Sequence, residues 1–213
     1  MSQSKFVIVI GRQYGSGGRE LGKRLASRLN VPYYDKELLY EAATRLGFRP
    51  DLLEKADEKP PSPFRSLLSA SIGSPSWLTT GAMQSETIYQ MQSDVIRSLI
   101  AEGSCVIVGR TADYIAREEP GLVSIFLHAD LKDRVARVMA REHSHKDAAA
   151  AQDCILRHDN GRREYYNYFT GRNWGNADNY HLSLSSSVLD MDGVADVIIA
   201  CMKARGIALS QEG

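Results

Sequence analysis

Glycine and arginine are concentrated in the stretch Gly11–Gly22, GRQYGSGGRELG, directly behind the apolar run Phe6–Ile10. A glycine-rich turn between a strand and a helix points successive backbone N–H groups at one place. The helix behind it adds its positive end, so the ligand such a turn suits is phosphate. Gly15, Gly17 and Gly18, with Ser16 among them, supply that geometry. The plainer reading of the same glycines is a tight turn that lets strand and helix pack closely. The usual phosphate pattern is G-x-x-x-x-G-K-[ST], in which the lysine neutralises the outer phosphates and the hydroxyl holds Mg²⁺. Here Gly18 stands at the lysine position and Arg19 at the hydroxyl position. Arg12 or Arg19 restores the missing charge, and a guanidinium suits bidentate contact with phosphate. Neither restores the hydroxyl, and Ser16 lies too early in the loop to do so. No metal ligand is readable.

Other residues carry chemistry in similar places. Asp35 closes the short apolar stretch Val31–Tyr34 and reads as a ligand for a second substrate or as a helix cap. Tyr40 reads as its companion or as a packing residue. Arg110 follows Cys105–Val108 and a glycine, which puts a guanidinium at a strand end; Asp113, one helical turn on, orients it or binds a hydroxyl or a metal. Arg134, Arg137 and Arg141 share one helix face. Arg157, Asp159, Arg162 and Arg163 sit on a later helix among Tyr165, Tyr166 and Tyr168. These arginines form either a salt-bridged solvated surface or a lid that closes over a transferring phosphoryl group. The arginine–tyrosine alternation also fits a single-stranded nucleic-acid surface, against which the charge balance argues.

The elements that must position these groups alternate. Apolar strands are expected at 6–10, 31–34, 105–108, 122–127 and 180–184. Helices are expected at 18–29, 36–46, 50–59, 84–102, 111–118, 131–142, 147–169 and 190–205. In 18–29, Leu21, Leu25 and Leu29 lie on one face. A proline- and serine-rich flap follows Lys59. Strand–helix alternation of this kind predicts a parallel sheet covered on both faces, with ligands at the carboxyl ends of its strands. The glycine loop, Asp35–Tyr40 and Gly109–Asp113 all follow strands, so they are expected to meet in one site.

The composition bounds the alternatives. The 213 residues hold 26 Lys and Arg against 26 Asp and Glu, so bulk charge does not favour nucleic acid. The first apolar run is too short for a signal peptide or a membrane span. Three widely spaced cysteines, Cys105, Cys154 and Cys201, define no disulfide framework, and the expected setting is the reducing cytoplasm without membrane association. Trp77, Leu78 and Met83 are either core residues or anchors of a homodimer contact along the long helix.

Five stretches together carry a family resemblance. IGRQYGSGGRELGKRLASRL, VPYYDKELLYEAA, GSCVIVGRTADYI, IFLHADLKDRVARVMARE and NYHLSLSSSVLDMDGVADVI, in order and along nearly the whole chain, resemble the cytidylate kinase-like proteins, a branch of the nucleoside monophosphate kinases. The resemblance implies a P-loop kinase three-layer α/β sandwich, with a five-stranded parallel sheet and an arginine-bearing helical lid. It implies one kinase-like domain over 1–213, with an acceptor-binding and flap insertion at about 35–83 and the lid at about 143–175. It implies Mg²⁺-dependent transfer of the ATP γ-phosphate to a nucleoside monophosphate such as CMP or dCMP. Carried over by position, Gly15–Arg19 match the phosphate loop. Asp35, Tyr40 and Arg110 match the acceptor site, and Arg157, Arg162 and Arg163 fall in the lid. The chain departs from cytidylate kinases at Gly18, at Lys36-Glu37 in place of a Thr-Gly pair, at Glu41 in place of an arginine, and at Val108 in place of an acid. Fold and nucleotide binding therefore carry over better than CMP. The alternative is a nucleotide-binding module without turnover.

Overall fold

The computed structural model describes residues 5–37, 44, 45, 47, 77–141 and 146–209, with backbone alone for 77–85. The helix expected at 50–59 and the flap up to residue 76 lie outside the described residues, as does most of the helix expected at 36–46.

In chain order the elements are β1 (Val7–Arg12), α1 (Gly18–Leu29), β2 (Tyr33–Tyr34), α2 (Trp77–Glu102), β3 (Cys105–Val108), α3 (Ala112–Ile115), β4 (Leu122–His128), α4 (Leu131–Arg141), α5 (Ala148–Thr170), β5 (Leu182–Ser185) and α6 (Met191–Ala204). A 3₁₀ turn, Ala177–Asn179, precedes β5. The five strands form one sheet in the order β2-β3-β1-β4-β5, every pairing parallel. β1 is central: Val7–Ile10 pairs with Cys105–Val108 on one side, and Val7–Arg12 with Leu122–Leu127 on the other.

The unbroken apolar run of β1 is what a strand covered on both faces requires. Phe6 just before the strand, with Ile8 and Ile10 in it, packs with Leu21, Leu25 and Leu29 of α1 and with Val194, Ile198 and Met202 of α6. The strand's odd-numbered residues Val7 and Val9 pack with Val95, Ile96 and Leu99 of α2 and with Ile115 of α3. The alternation therefore builds three layers, helix–sheet–helix. Cys105 belongs to the second of these cores, and burial pushes its thiol up to about 12, which makes it a packing residue.

Two boundaries differ from the sequence expectation. α2 begins at Trp77 and not at residue 84. Thr79, Thr80 and Gly81 are weak helix formers, but once a helix is nucleated each further residue adds a hydrogen bond at little cost. The expected helix 111–118 is only the four residues of α3, because Ala116 onward continues as turns into Leu122. The segments after β1, β2, β3 and β5 all emerge on the carboxyl edge of the sheet, where a parallel α/β sheet binds its ligands.

Candidate active site

The glycine loop is braced from several sides, and the Ser16 N–H itself turns back to the Gln13 carbonyl at 3.3 Å. Gly15 (φ 78°) and Gly17 (φ 92°) adopt the left-handed conformation that glycine takes without strain. A Cβ at Gly17 would also run into Cε of Met191. Ser16 is fully buried, and its hydroxyl donates to the Gln13 carbonyl at 2.8 Å. Its own carbonyl accepts from the Ser186 hydroxyl at 2.8 Å, which ties the loop to the segment after β5. Arg137 donates to the Gly15 carbonyl at 2.7 Å, and Arg134 to that of Tyr14 at 3.5 Å. The first backbone bond of α1 runs from Leu21 N–H to the Gly17 carbonyl, so the amides of Gly18, Arg19 and Glu20 open the helix without an intrahelical partner. Carbonyls held back by arginines and amides left open are the arrangement that suits an anion.

Arg12 lies against both the loop and the turn after β3. Counted back from Gly17, it occupies the position of the first glycine in the usual pattern, a signal that was present in the sequence. A Cβ at Gly18 would lie 2.8 Å from Arg12 Cγ and 2.9 Å from its Cβ. A Cβ at Gly109, where φ is 83°, would overlap Arg12 Nη1. The Arg12 side chain thus rises over Gly18 and ends over Gly109, crossing the space into which a lysine at position 18 would extend. The two glycines are the room it needs.

Arg19 is placed differently. Its Nη2 donates to both carboxylate oxygens of Glu37, at 2.7 and 2.9 Å, and its Nε lies 3.7 Å from Asp35 Oδ2. Partial burial works against its charge, but Glu37 and then Asp35 outweigh it and hold the guanidinium above its ordinary range. Asp35 is buried and also accepts from the Tyr33 hydroxyl at 3.0 Å. Tyr40 lies outside the described residues.

The third strand end carries strained backbone. Gly109 (φ 83°), Arg110 (φ 62°) and Thr111 (φ 53°) are consecutive left-handed residues. For a β-branched threonine this conformation is rare and costs energy, which the fold tolerates where it fixes a side chain. The Thr111 hydroxyl donates to the Arg110 carbonyl at 2.6 Å and helps hold the turn. Arg110 is thereby buried in a narrow cleft shared with Arg12, Arg162, Asp113, Tyr166 and Trp174. The cleft encloses ≈ 20 Å³, about the room of one water. Asp113 accepts from the Tyr166 hydroxyl at 2.7 Å. Burial raises its carboxyl to about 6, against the opposing pull of Tyr166 and Arg172.

The lid helix α5 is docked on the loop through Asp159. One oxygen accepts from Tyr14 N–H at 2.7 Å and the other from Arg134 at 2.5 Å, a pair buried on both sides. Tyr14 stacks on His158 with ring centroids 4.2 Å apart, and the guanidinium of Arg162 lies 5.3 Å from its ring. Arg162 also donates to the Arg12 carbonyl at 3.2 Å. Of the three lid arginines singled out by the sequence, Arg162 alone is brought to the loop. Arg163 is exposed and turns to Asn160 at 2.6 Å and to the face of Trp174. Arg157 is exposed, with no ion pair among the described residues. The face of Arg134, Arg137 and Arg141 is settled as a loop-contacting face, Arg141 reaching the Tyr14 hydroxyl at 3.3 Å. Asp159 was legible as a partner of the arginines, but its bond to Tyr14 escaped the sequence reading because the two lie 145 residues apart.

Beside the loop runs a groove of ≈ 530 Å³, lined by Glu20 and Arg24 of α1, Arg137 of α4 and Ser186–Asp192 after β5. That volume is within the range of sites that hold a small ligand. Kinases with a phosphate loop seat Mg²⁺ on a loop hydroxyl. The residues here do not fit that seat: Arg19 replaces the hydroxyl residue, and the Ser16 hydroxyl is buried on Gln13. Among the described residues, no three His, Cys, Asp or Glu side chains are grouped to hold a metal.

The strand order, the glycine loop after β1 and the lid after β4 define a P-loop kinase fold. The chain belongs to the cytidylate kinase-like family, whose model matches residues 7–188. It is 27% identical to an uncharacterized protein from Eubacterium ventriosum, with TM-score 0.70 over 94% of this chain and 99% of that one. A shikimate kinase from Bacteroides thetaiotaomicron is 13% identical, with TM-score 0.52 over 94% and 98% of the two chains. A gluconokinase from Sinorhizobium meliloti is 15% identical, with TM-score 0.50 over 97% and 95%. These two share the fold. None of the curated proteins matches the chain. Among the described residues, no helix is long and apolar enough to cross a membrane.

Proposed function

We propose that the protein transfers the γ-phosphate of ATP to a small acceptor, with nucleoside monophosphates such as CMP and dCMP as the first candidates. The observation that carries this reading is the placement of Arg12 over Gly18 and Gly109, between the glycine loop and the Gly-Arg turn after β3. A cation there faces phosphate oxygens from both directions. Phosphoryl transfer asks little covalent help of a protein; positioning and charge stabilisation supply most of the rate. In this reading the amides of Gly15, Gly17, Gly18 and Arg19 hold the β- and γ-phosphates, and the ≈ 530 Å³ groove takes the nucleoside. Arg12 and Arg162 stabilise the charge that develops on the transferring group. Arg110 holds the acceptor, with Asp35 and Asp113 on its other sides. The cleft around Arg110 is too small for an acceptor as it stands, so α5 shifts to admit one. No step is assigned to a protein-bound metal. Three free thiols support the reading of a reducing, cytoplasmic setting.

The test is ADP release from ATP with CMP, dCMP, UMP, AMP and GMP offered separately, beside shikimate and gluconate. Acceptor-dependent ADP identifies the substrate class. ATP binding without ADP release from any acceptor overturns the transfer reading and leaves a nucleotide-binding module. Stimulation by shikimate or gluconate alone overturns the nucleotide acceptor but keeps the reaction type.

A further inference from the structure

We infer that Arg19 is a built-in cation in the place of the loop-bound divalent metal, so that this chain binds the phosphates of its nucleotide without a divalent ion. The inference rests on the reading of the glycine loop as a phosphate site. Three independent features of the chain point to it. The residue that follows the loop's last two glycines, where a hydroxyl would hold the metal, is Arg19 itself, in the first turn of α1. The one serine of the loop spends its hydroxyl on the Gln13 carbonyl and is fully buried, so it cannot turn outward without breaking the loop. Finally, the carboxylates that follow β2 already have a cation: Asp35 and Glu37 both hold Arg19. A divalent ion at this point would have to displace the guanidinium from two carboxylates, or sit beside it at the cost of like-charge repulsion.

The guanidinium suits the task. Asp35 and Glu37 engage Nε and Nη2 and leave Nη1 with no partner among the described residues. The side chain is half exposed, at the rim and not in the core. Anchored on one edge and open on the other, Arg19 offers an N–H donor to a phosphate that also meets the amide of its own residue. The Arg12 side chain lies against Gly18. The loop thus carries two fixed positive charges where the common pattern carries a lysine and a metal.

The experiment is calorimetric titration of ATP into the full chain, once with MgCl₂ and once with EDTA, for the wild type, Arg19→Thr and Arg19→Lys. The wild type is expected to bind with dissociation constants that agree within about twofold in the two buffers. Arg19→Thr, which restores the usual hydroxyl, is expected to weaken binding in EDTA by about tenfold or more and to regain affinity when Mg²⁺ is added. Arg19→Lys keeps a cation and is expected to retain binding in EDTA. A wild type that loses about tenfold or more in EDTA overturns the inference while leaving the phosphate site intact. So does an Arg19→Thr variant that binds like the wild type in EDTA. Absence of ATP binding by the wild type in both buffers overturns the phosphate reading of the loop, and this inference with it. Thermal melts of the three proteins show that the variants are folded.

Discussion

Replacing Gly109 with alanine tests whether Arg12 is the displaced charge of the loop. The residue sits at φ 83°, and a methyl group there overlaps Arg12 Nη1 and lies 2.7 Å from its Cζ. Two separate costs follow. Alanine in the left-handed region costs about 1–2 kcal/mol of stability. The guanidinium must also leave its place, because it cannot share the space with a Cβ. A charge-assisted hydrogen bond is worth about 1.5–3 kcal/mol, so its loss should weaken ATP binding by roughly ten- to 150-fold. Calorimetry on wild type, Arg12→Ala, Gly109→Ala and the double variant separates the two costs. Arg12→Ala removes the very atoms that the new methyl meets. Gly109→Ala should therefore reduce affinity only where Arg12 is present, and the double variant should bind like Arg12→Ala within about twofold. The backbone strain recurs in both backgrounds and is read in the urea midpoint. If Gly109→Ala binds ATP as tightly as the wild type, Arg12 is not at the phosphates. If the two losses add in full, the methyl acts through Arg110 next door, and the relocated-charge reasoning fails.

Asp159→Ala leaves Arg134 buried without its carboxylate, and the urea midpoint should report a loss of about 3–5 kcal/mol; a loss below about 1 kcal/mol would mean that the pair does not hold the lid to the loop. Asp113 gives a pH signature, since burial raises its carboxyl to about 6 from roughly 3.9 in an unfolded chain. Between those values the folded state holds more protons, so the contribution to stability is fully present below about pH 4 and is lost as pH rises through about 6. Asp113→Asn cannot ionise; the stability difference between variant and wild type should shift on the order of 2 kcal/mol between about pH 4 and pH 7, and a flat difference would contradict the burial. Arg110→Lys keeps the charge but loses the planar fork, and kcat/KM for the acceptor should fall by about tenfold or more with ATP affinity unchanged. A fall in ATP affinity instead would move Arg110 to the donor side.

The sequence by itself determined the layers and the loop. Phe6–Ile10 is apolar at every position, which only a strand covered on both faces needs, and α1 falls at 18–29 as the spacing of its leucines requires. It also put Arg134, Arg137 and Arg141 on one face and Arg110 at a strand end, because periodicity and strand ends are local properties. Which arginine replaces the lysine was not local. Arg12 and Arg19 are equivalent in a list of residues; Gly109, nearly a hundred positions away, makes room for one, while Asp35 and Glu37 claim the other. The same holds for the lid. Arg157, Arg162 and Arg163 share a helix, but Asp159 fixes its rotation against Tyr14 and Arg134, and that rotation turns only Arg162 inward. A side chain's type and spacing say what it is able to do. Its reach and its competing partners come from chain segments that meet only when the parallel sheet aligns its strand ends.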